Sequence, residues 1–281
     1  MKIGCFALVD PFRTLDHQLD RIRDWGFGFA DVTDTGDGAT LGNHFGFSAV
    51  SSLDDNPHDT LRLFSDRGLR ITSYCAHADL LDPTAPWRYG TAQIIKAVRS
   101  AAAIGVPHVI TTEGEPTTGF GSRLSRQEAI FLILEKLHEP LRVAHDHGVQ
   151  ILLEPHGPCT GSPDALAEII ERADSPALAV NLDTGNSWLA GADPVEFIRT
   201  FGDRIKHVHW KDLGPEWEPR RGQVFGCGMS TTALGDGVID IKGAFQALVD
   251  TGFDGHTTLE IAGDDAVLAS ARFLESLGAT R

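Results

Sequence analysis

Apolar residues recur along the chain in short runs separated by longer amphipathic stretches. Eight of these runs read as buried strands: Lys2–Leu8, Phe27–Thr33, Leu69–Ala76, His108–Thr112, Val149–Glu154, Leu178–Asp183, Ile205–Trp210 and His256–Ile261. Between them the spacing changes to that of a helix. Leu15, Leu19, Ile22 and Trp25 share one face of a helix over Thr14–Trp25, with Thr14 as its N-cap and Gly26 as its stop. Pro57 opens a short helix ended by Gly68, and Thr91–Ile104 forms the next, stopped by Gly105. Ser125 and Glu128 have the spacing of a capping box, which starts a helix reaching to His147; Pro140 is expected to kink or divide it. Ser162-Pro163, Asp193-Pro194 and Asp240 start three more, since proline suits the first helical position, and Asp264–Leu277 is the last.

Strands that alternate with helices imply an α/β fold with a parallel sheet. Eight such units in 281 residues point to one closed (β/α)8 TIM barrel spanning residues 1–281, a fold that typically takes ~250 residues. An open doubly wound sheet would carry a glycine-rich phosphate turn after its first strand. Here that strand runs into Leu8-Val9-Asp10-Pro11 instead.

Four of the strands end in groups able to bind a metal: Glu154, Asp183, His209 and Glu260. In such barrels the reactive groups sit at the C-terminal strand ends, and neighbouring strands lie roughly 5 Å apart, so consecutive ends can share one ion. Three carboxylates brought that close repel one another and raise each other's pKa values, and a divalent cation relieves this. Three oxygen donors and one nitrogen suit Mn²⁺ first, with Mg²⁺ or Co²⁺ close behind and Zn²⁺ also accommodated. Taken singly, each acid is as readily a helix cap or a solvated loop residue; four on consecutive strand ends favour a site.

The formal net charge of -15 argues against a nucleic-acid partner, which would need clustered Lys and Arg. No apolar run is long enough to span a bilayer. The segment Met1-Lys2-Ile3-Gly4-Cys5-Phe6 goes straight into a strand without the features of a secretory signal. Cys5, Cys75, Cys159 and Cys227 are widely spaced with no Cys-x-x-Cys pair, so the expectation is a cytoplasmic protein with free thiols. Cys159 and Cys227 fall near the site but read as packing thiols.

Around the quartet the motifs are dense: Asn181-Leu182-Asp183-Thr184-Gly185-Asn186, Gly191-Ala192-Asp193-Pro194, Phe201 through Asp212 with its His209-Trp210-Lys211-Asp212, Leu234-Gly235-Asp236-Gly237, and Thr258-Leu259-Glu260. This arrangement resembles the xylose isomerase-like barrel superfamily, in particular its sugar isomerase and epimerase branch, over nearly the whole chain. The resemblance implies that Glu154, Asp183, His209 and Glu260 are the metal ligands. It also implies a mechanism. The metal chelates a substrate carbonyl and a neighbouring hydroxyl and so acidifies the intervening C–H. Glu154 and Glu260, the two glutamates of the quartet, then form the acid/base pair around an enediolate.

The chain departs from the ketose 3-epimerases of that superfamily. Their substrate-binding His, Glu and Arg fall on Asn186, Thr160 and Pro215 here, with Arg220 and Arg221 nearby but out of register. The Asp183-Thr184-Gly185 sequence looks more like the keto-inositol dehydratases, in which the same enediolate expels a β-hydroxyl.

Strand periodicity places Asn181 and His207 one layer beneath Asp183 and His209, where they either orient the ligands or simply fill the core. His156, two residues past Glu154, is placed to hold a substrate hydroxyl, and Lys211 to neutralise an enediolate oxygen. His77 and Glu113, at the ends of strands three and four, are expected on the pocket floor, and Asn186 and Arg220 complete the candidate substrate contacts. Trp188, Trp210, Trp217 and Phe225 serve either as an apolar wall for a sugar or as core. The long loops Asp34–Asn56, with Phe45 and Phe47 between Gly42, Gly46 and Ser48, and Leu213–Gly235 are either lids or contacts with a second subunit of a homo-oligomer.

The expected function is a divalent-metal-dependent isomerase or epimerase acting on a small keto-sugar. The alternative is a lyase of keto-inositol or keto-glycoside type. A nuclease on the same barrel would need a His-rich multi-metal site and a basic groove, yet of twelve histidines only His209 joins the quartet. A sugar-binding protein without catalysis does not need the Glu154/Glu260 pair.

Overall fold

The computed structural model describes residues 1–34, 46–47, 51–82 and 89–281. Its eight strands are β1 (Lys2–Phe6), β2 (Phe29–Thr33), β3 (Arg70–Cys75), β4 (His108–Thr112), β5 (Gln150–Glu154), β6 (Leu178–Asp183), β7 (Ile205–Trp210) and β8 (His256–Leu259). They pair in parallel in sequence order, and β8 returns to β1 to close the barrel. The described helices are α1 (Leu15–Asp24), α2 (Pro57–Ser65), α3 (Tyr89–Ile104), α4 (Arg126–His147), α5 (Pro163–Ala173), α6 (Thr184–Leu189), α7 (Pro194–Phe201), α8 (Ile241–Asp250) and α9 (Asp264–Ser276). No helix among the described residues is long and apolar enough to cross a membrane.

Local chemistry explains most of the boundaries. The hydroxyl of Thr14 accepts from the His17 amide, and Asp193 and Asp240 cap α7 and α8 in the same way. Both halves of the Ser125/Glu128 capping box are formed. Ser162 precedes α5 as expected but makes no side-chain cap bond. The sequence does not announce α6, which begins directly on Asp183: that carboxylate accepts the Asn186 amide 2.8 Å away and so caps the helix it precedes.

Of the kink or division expected at Pro140, α4 shows no division; the helix is one element of 22 residues. Proline leaves the carbonyl four residues earlier, that of Lys136, without its usual N–H partner. The Thr91 hydroxyl of α3 supplies the replacement at 3.0 Å, so the break is healed from the neighbouring helix.

The strand pleat sorts the core into two parts. Outward-facing residues pack under the helices in the main apolar cluster, with Ile3, Val32, Val109, Ile151, Val180 and Val208 among them. Inside the barrel a small cluster of Phe6, Leu8, Cys75, Ile110, Leu152 and Ala179 fills the lumen. Several other lumen positions are polar and fully buried: Asp31, Ser73, Asn181, His207, His209 and Thr258. A closed barrel thus carries one side of its interior as a hydrogen-bonded network, and the candidate site sits on top of that side.

Candidate metal centre

Glu154 and Asp183 end β5 and β6, His209 lies one residue before the end of β7, and Glu260 lies one past β8. Registers bring these ends level: Asp183 pairs with His209, and His209 with Thr258. Nδ1 of His209 stands 3.0 Å from Glu154 Oε2 and 3.1 Å from Glu260 Oε2. One ligand atom from each of Glu154, Asp183, His209 and Glu260 falls in a cluster whose members all lie within 4.8 Å of one another.

The donor set fits a divalent cation. Asp183 Oδ2 and Glu260 Oε2 are buried yet make no properly angled hydrogen bond, although the Lys211 ammonium approaches Asp183 Oδ2 at 2.9 Å and His209 approaches Glu260 Oε2. Such atoms are costly unless something cationic faces them. Burial, together with the Glu260 and Glu154 charges, pushes the Asp183 carboxyl up. Burial acts the same way on Glu154, but the His209 imidazole outweighs it and holds that carboxyl well below its usual range.

The imidazole is aimed from behind. His209 Nε2 lies 3.2 Å from Oδ2 of Asp31 in β2, an acceptor that favours a proton on Nε2 and so leaves Nδ1 as the nitrogen that would face a cation in the cluster. Asp31 also accepts from the hydroxyls of Thr72, Ser73 and Thr258 and faces His207 Nε2 at 3.3 Å. Asp31, His207 and His209 also lie close enough to hold an ion. The three hydroxyl donors already turned to Asp31 make this group a hydrogen-bonded support instead. His207 Nδ1 bonds Asn181 Oδ1 at 2.9 Å, and Asn181 in turn donates to Glu154 Oε2 at 2.8 Å. The layer beneath the quartet is therefore one continuous network.

Above the quartet opens a cavity of about 360 Å³, walled by Leu8, Phe47, His77, Thr112, Glu154, His156, Lys211, Trp217, Cys227, Met229 and Glu260 with several further loop residues. His77 and His156 flank Glu154 at 3.9 Å on either side. Burial pulls the His156 pKa down to about 4, so its ring is neutral and can donate or accept. Lys211, expected near the site, lies within it: its ammonium is 2.9 Å from Asp183 Oδ2 and 2.8 Å from Glu260 Oε1. Its stem crosses Gly185 so closely that a Cβ there would fall 2.7 Å from Lys211 Cβ. The glycine of the Asp183-Thr184-Gly185 motif thus makes room for the lysine two residues past His209.

Other expected contacts lie elsewhere. Asn186 is buried beside the cavity without lining it; its amide donates to Glu154 Oε1 at 3.1 Å. Glu113 also lies off the cavity floor, since its side chain turns behind the wall to the backbone of Cys159 and Thr160. Arg220 is exposed with its guanidinium stacked over the Trp217 ring, outside the cavity wall. Arg221 ties the loop down, donating to the carbonyls of Trp188, Gly191 and Ala192. Of the four aromatics singled out above, Trp217 lines the cavity, Trp210 packs against Phe245, Trp188 is buried beneath Arg221, and Phe225 is half-buried without lining the cavity. Phe47 reaches the cavity, whereas Gly42, Phe45 and Ser48 lie outside the described residues. Burial pushes the Cys159 and Cys227 thiols up to about 12, as befits packing residues.

Sequence reasoning missed Asp31. A carboxylate inside the apolar run Phe27–Thr33 was the available signal, because a buried unpaired charge in a strand requires a partner across the lumen.

A closed parallel barrel with a buried carboxylate and imidazole cluster at its C-terminal rim defines a metal-site TIM barrel. Residues 19–277 match the family described as xylose isomerase-like TIM barrel, and the chain belongs to that family. It is 27% identical over 249 residues to an inosose dehydratase of Lacticaseibacillus casei, covering 82% of each chain. Among solved structures it superposes on an IolI protein with a bound zinc atom at a TM-score of 0.76 and 16% identity, covering 99% of this chain and 98% of that one. It is similarly close to 3-keto-D-glucoside 4-epimerase YcjR from E. coli, with a TM-score of 0.73, 19% identity and coverage of 98% and 99%. The relatives and structural neighbours of the chain thus include a dehydratase and an epimerase, and its own buried cluster of one imidazole and three carboxylates is able to hold a metal.

Proposed function

We propose that this protein is a divalent-metal-dependent lyase that dehydrates a keto-cyclitol or closely related cyclic keto-sugar. Glu154, Asp183, His209 and Glu260 hold the cation in this reading. Mn²⁺ suits the three oxygen donors and one nitrogen best, and zinc, present in the IolI protein structure, fits as well. The bound cation would polarise the substrate ketone and lower the pKa of the adjacent C–H.

The chain's own residues divide the remaining work. Glu154 is pinned as a fixed ligand by the amides of Asn181 and Asn186, and the His209 imidazole holds it in its ionised form. Glu260 accepts no such amide, lines the cavity and touches Lys211, so it is the residue to take the proton from the carbon beside the ketone. The electron pair of that C–H bond forms the new C=C bond as the β-hydroxyl departs. Lys211 protonates the departing oxygen, which leaves as water. His77 and His156, on either side of Glu154, hold ring hydroxyls in place.

The observation that carries this reading is Lys211. Inversion at carbon needs a second group on the opposite face, whereas elimination needs a proton donor for the departing oxygen, and the Lys211 ammonium stands 2.8 Å from Glu260. The likeness to an inosose dehydratase over 82% of both chains supports the same choice. An isomerase or epimerase remains the second reading, favoured by Glu154 and Glu260 reaching one cavity together.

The test is incubation of Mn²⁺-loaded protein in D₂O with 2-keto-myo-inositol and with 3-keto-glucosides. A lyase forms an unsaturated product lighter by one water. An epimerase or isomerase incorporates deuterium at carbon without losing water. Neither product nor exchange across the panel overturns both readings.

A further inference from the structure

Glu113 is a buried carboxylate that the proposed reaction does not use. It follows β4, and its parity turns it behind the barrel wall, away from the cavity. There both oxygens accept backbone N–H groups of the segment after β5: Cys159 N lies 3.0 Å from each, and Thr160 N 2.6 Å from Oε2. The segment is folded around the carboxylate. Gly157 has φ +147, and a Cβ on it would fall 2.6 Å from Glu113 Cδ. Glycine is needed there for the backbone angle and for the space.

The same turn carries His156. Its backbone N–H donates to Thr160 Oγ1 at 3.0 Å, and its carbonyl accepts from Gly114 N, beside Glu113, at 3.0 Å. Glu113 and Gly114 therefore hold the turn from opposite sides, and the His156 ring projects from it to the cavity 3.9 Å from Glu154. A buried carboxyl that accepts consecutive backbone amides ties a loop at more than one point.

We propose that Glu113 is a positioning residue: its carboxyl oxygens accept the Cys159 and Thr160 backbone N–H groups, organise the turn from His156 to Gly161 and thereby fix the His156 ring on the cavity wall. Its bearing on catalysis rests on the reading above, in which His156 faces substrate. The geometric claim stands without it.

The experiment compares wild type, Glu113→Gln and Gly157→Ala by amide hydrogen exchange and by NMR of the His156 ring. Glutamine places a donor where an acceptor is required. The alanine methyl displaces the carboxylate while leaving Glu113 in the chain. Both variants are expected to speed exchange at Cys159 and Thr160 by tenfold or more and to shift the His156 ring signals, with the amides of β5 and β6 protected as in wild type. Where 2-keto-myo-inositol is turned over, KM rises more than kcat falls. Wild-type exchange at Cys159 and Thr160 in either folded variant overturns the proposal. So does loosening that spreads through β4 and β5, because Glu113 would then support the barrel and not the turn. Failure of the lyase reading would show separately, as absence of turnover in wild type with the exchange result intact.

Discussion

Asp31 Oδ2 and His209 Nε2 meet at 3.2 Å across the barrel lumen, from positions 178 residues apart in the chain. That contact decides which imidazole nitrogen is free for a cation. Asp31→Asn keeps the volume but can present an amide donor to Nε2, which would move the ring proton to Nδ1, the side a metal needs. Outer carboxylates of this kind are typically worth about 10- to 100-fold in metal affinity. Titration calorimetry with Mn²⁺ should show a loss in that range with the circular dichroism unchanged. An affinity within twofold of wild type would mean the tautomer is set by something other than Asp31.

Gly185 and Lys211 make a second coupled pair. An alanine at 185 would meet Lys211 Cβ at 2.7 Å and Cδ at 3.1 Å, so the lysine stem must shift and its ammonium leave the contact with Glu260. Gly185→Ala should lower kcat about tenfold or more, since one displaced proton donor typically costs 10²–10⁴ when fully lost. Lys211→Met should lower it further, and Mn²⁺ should still bind both variants. Steady-state kinetics with a keto-cyclitol, paired with metal titration, checks this. Turnover at the wild-type rate in Lys211→Met would remove the lysine from the reaction.

Strand parity explains what the sequence made legible. Val149–Glu154, Leu178–Asp183 and Ile205–Trp210 were readable because each apolar run stops at a group of different chemistry, and period two then placed Asn181, His156, His207 and Lys211 on the lumen side. The same rule puts Ile110 and Thr112 inward and hence Glu113 outward, so counting strand ends without their parity set that residue on the wrong side of the wall. Asp31 lies mid-strand and gives no end signal. Arg220 lies in a long loop, where no period fixes direction, and Asn186 sits on α6, a short helix that exists because Asp183 caps it.

The healed break in α4 predicts a localised stability defect. The Lys136 carbonyl lacks an i+4 amide because of Pro140, and the buried Thr91 hydroxyl satisfies it at 3.0 Å. Thr91→Val retains the shape but removes the donor, which costs about 1–3 kcal/mol for a buried unpaired carbonyl. Thr91→Ser should recover most of the loss. Urea unfolding of the three proteins tests this, and equal midpoints for Val and wild type would show that the carbonyl finds another partner.

Glu113 predicts a pH dependence whose sign is set by burial. Desolvation raises its pKa from the ordinary 4.5 to about 7, against the opposing pull of the Thr160 and Cys159 amides. Between those values the folded protein holds a proton that the unfolded chain has released, so the Glu113 contribution to stability falls as pH rises from about 4.5 through about 7. The full span corresponds to something on the order of 3 kcal/mol. Glu113→Gln does not titrate, and the metal-ligand carboxylates are common to both proteins. In chelator-treated samples the stability of wild type minus that of Glu113→Gln should therefore decline from pH 5 to about pH 7 and level off by pH 8, whatever constant offset the lost hydrogen bonds add. A flat difference across that range would mean that the backbone amides of the turn win over burial and keep the Glu113 carboxylate ionised throughout.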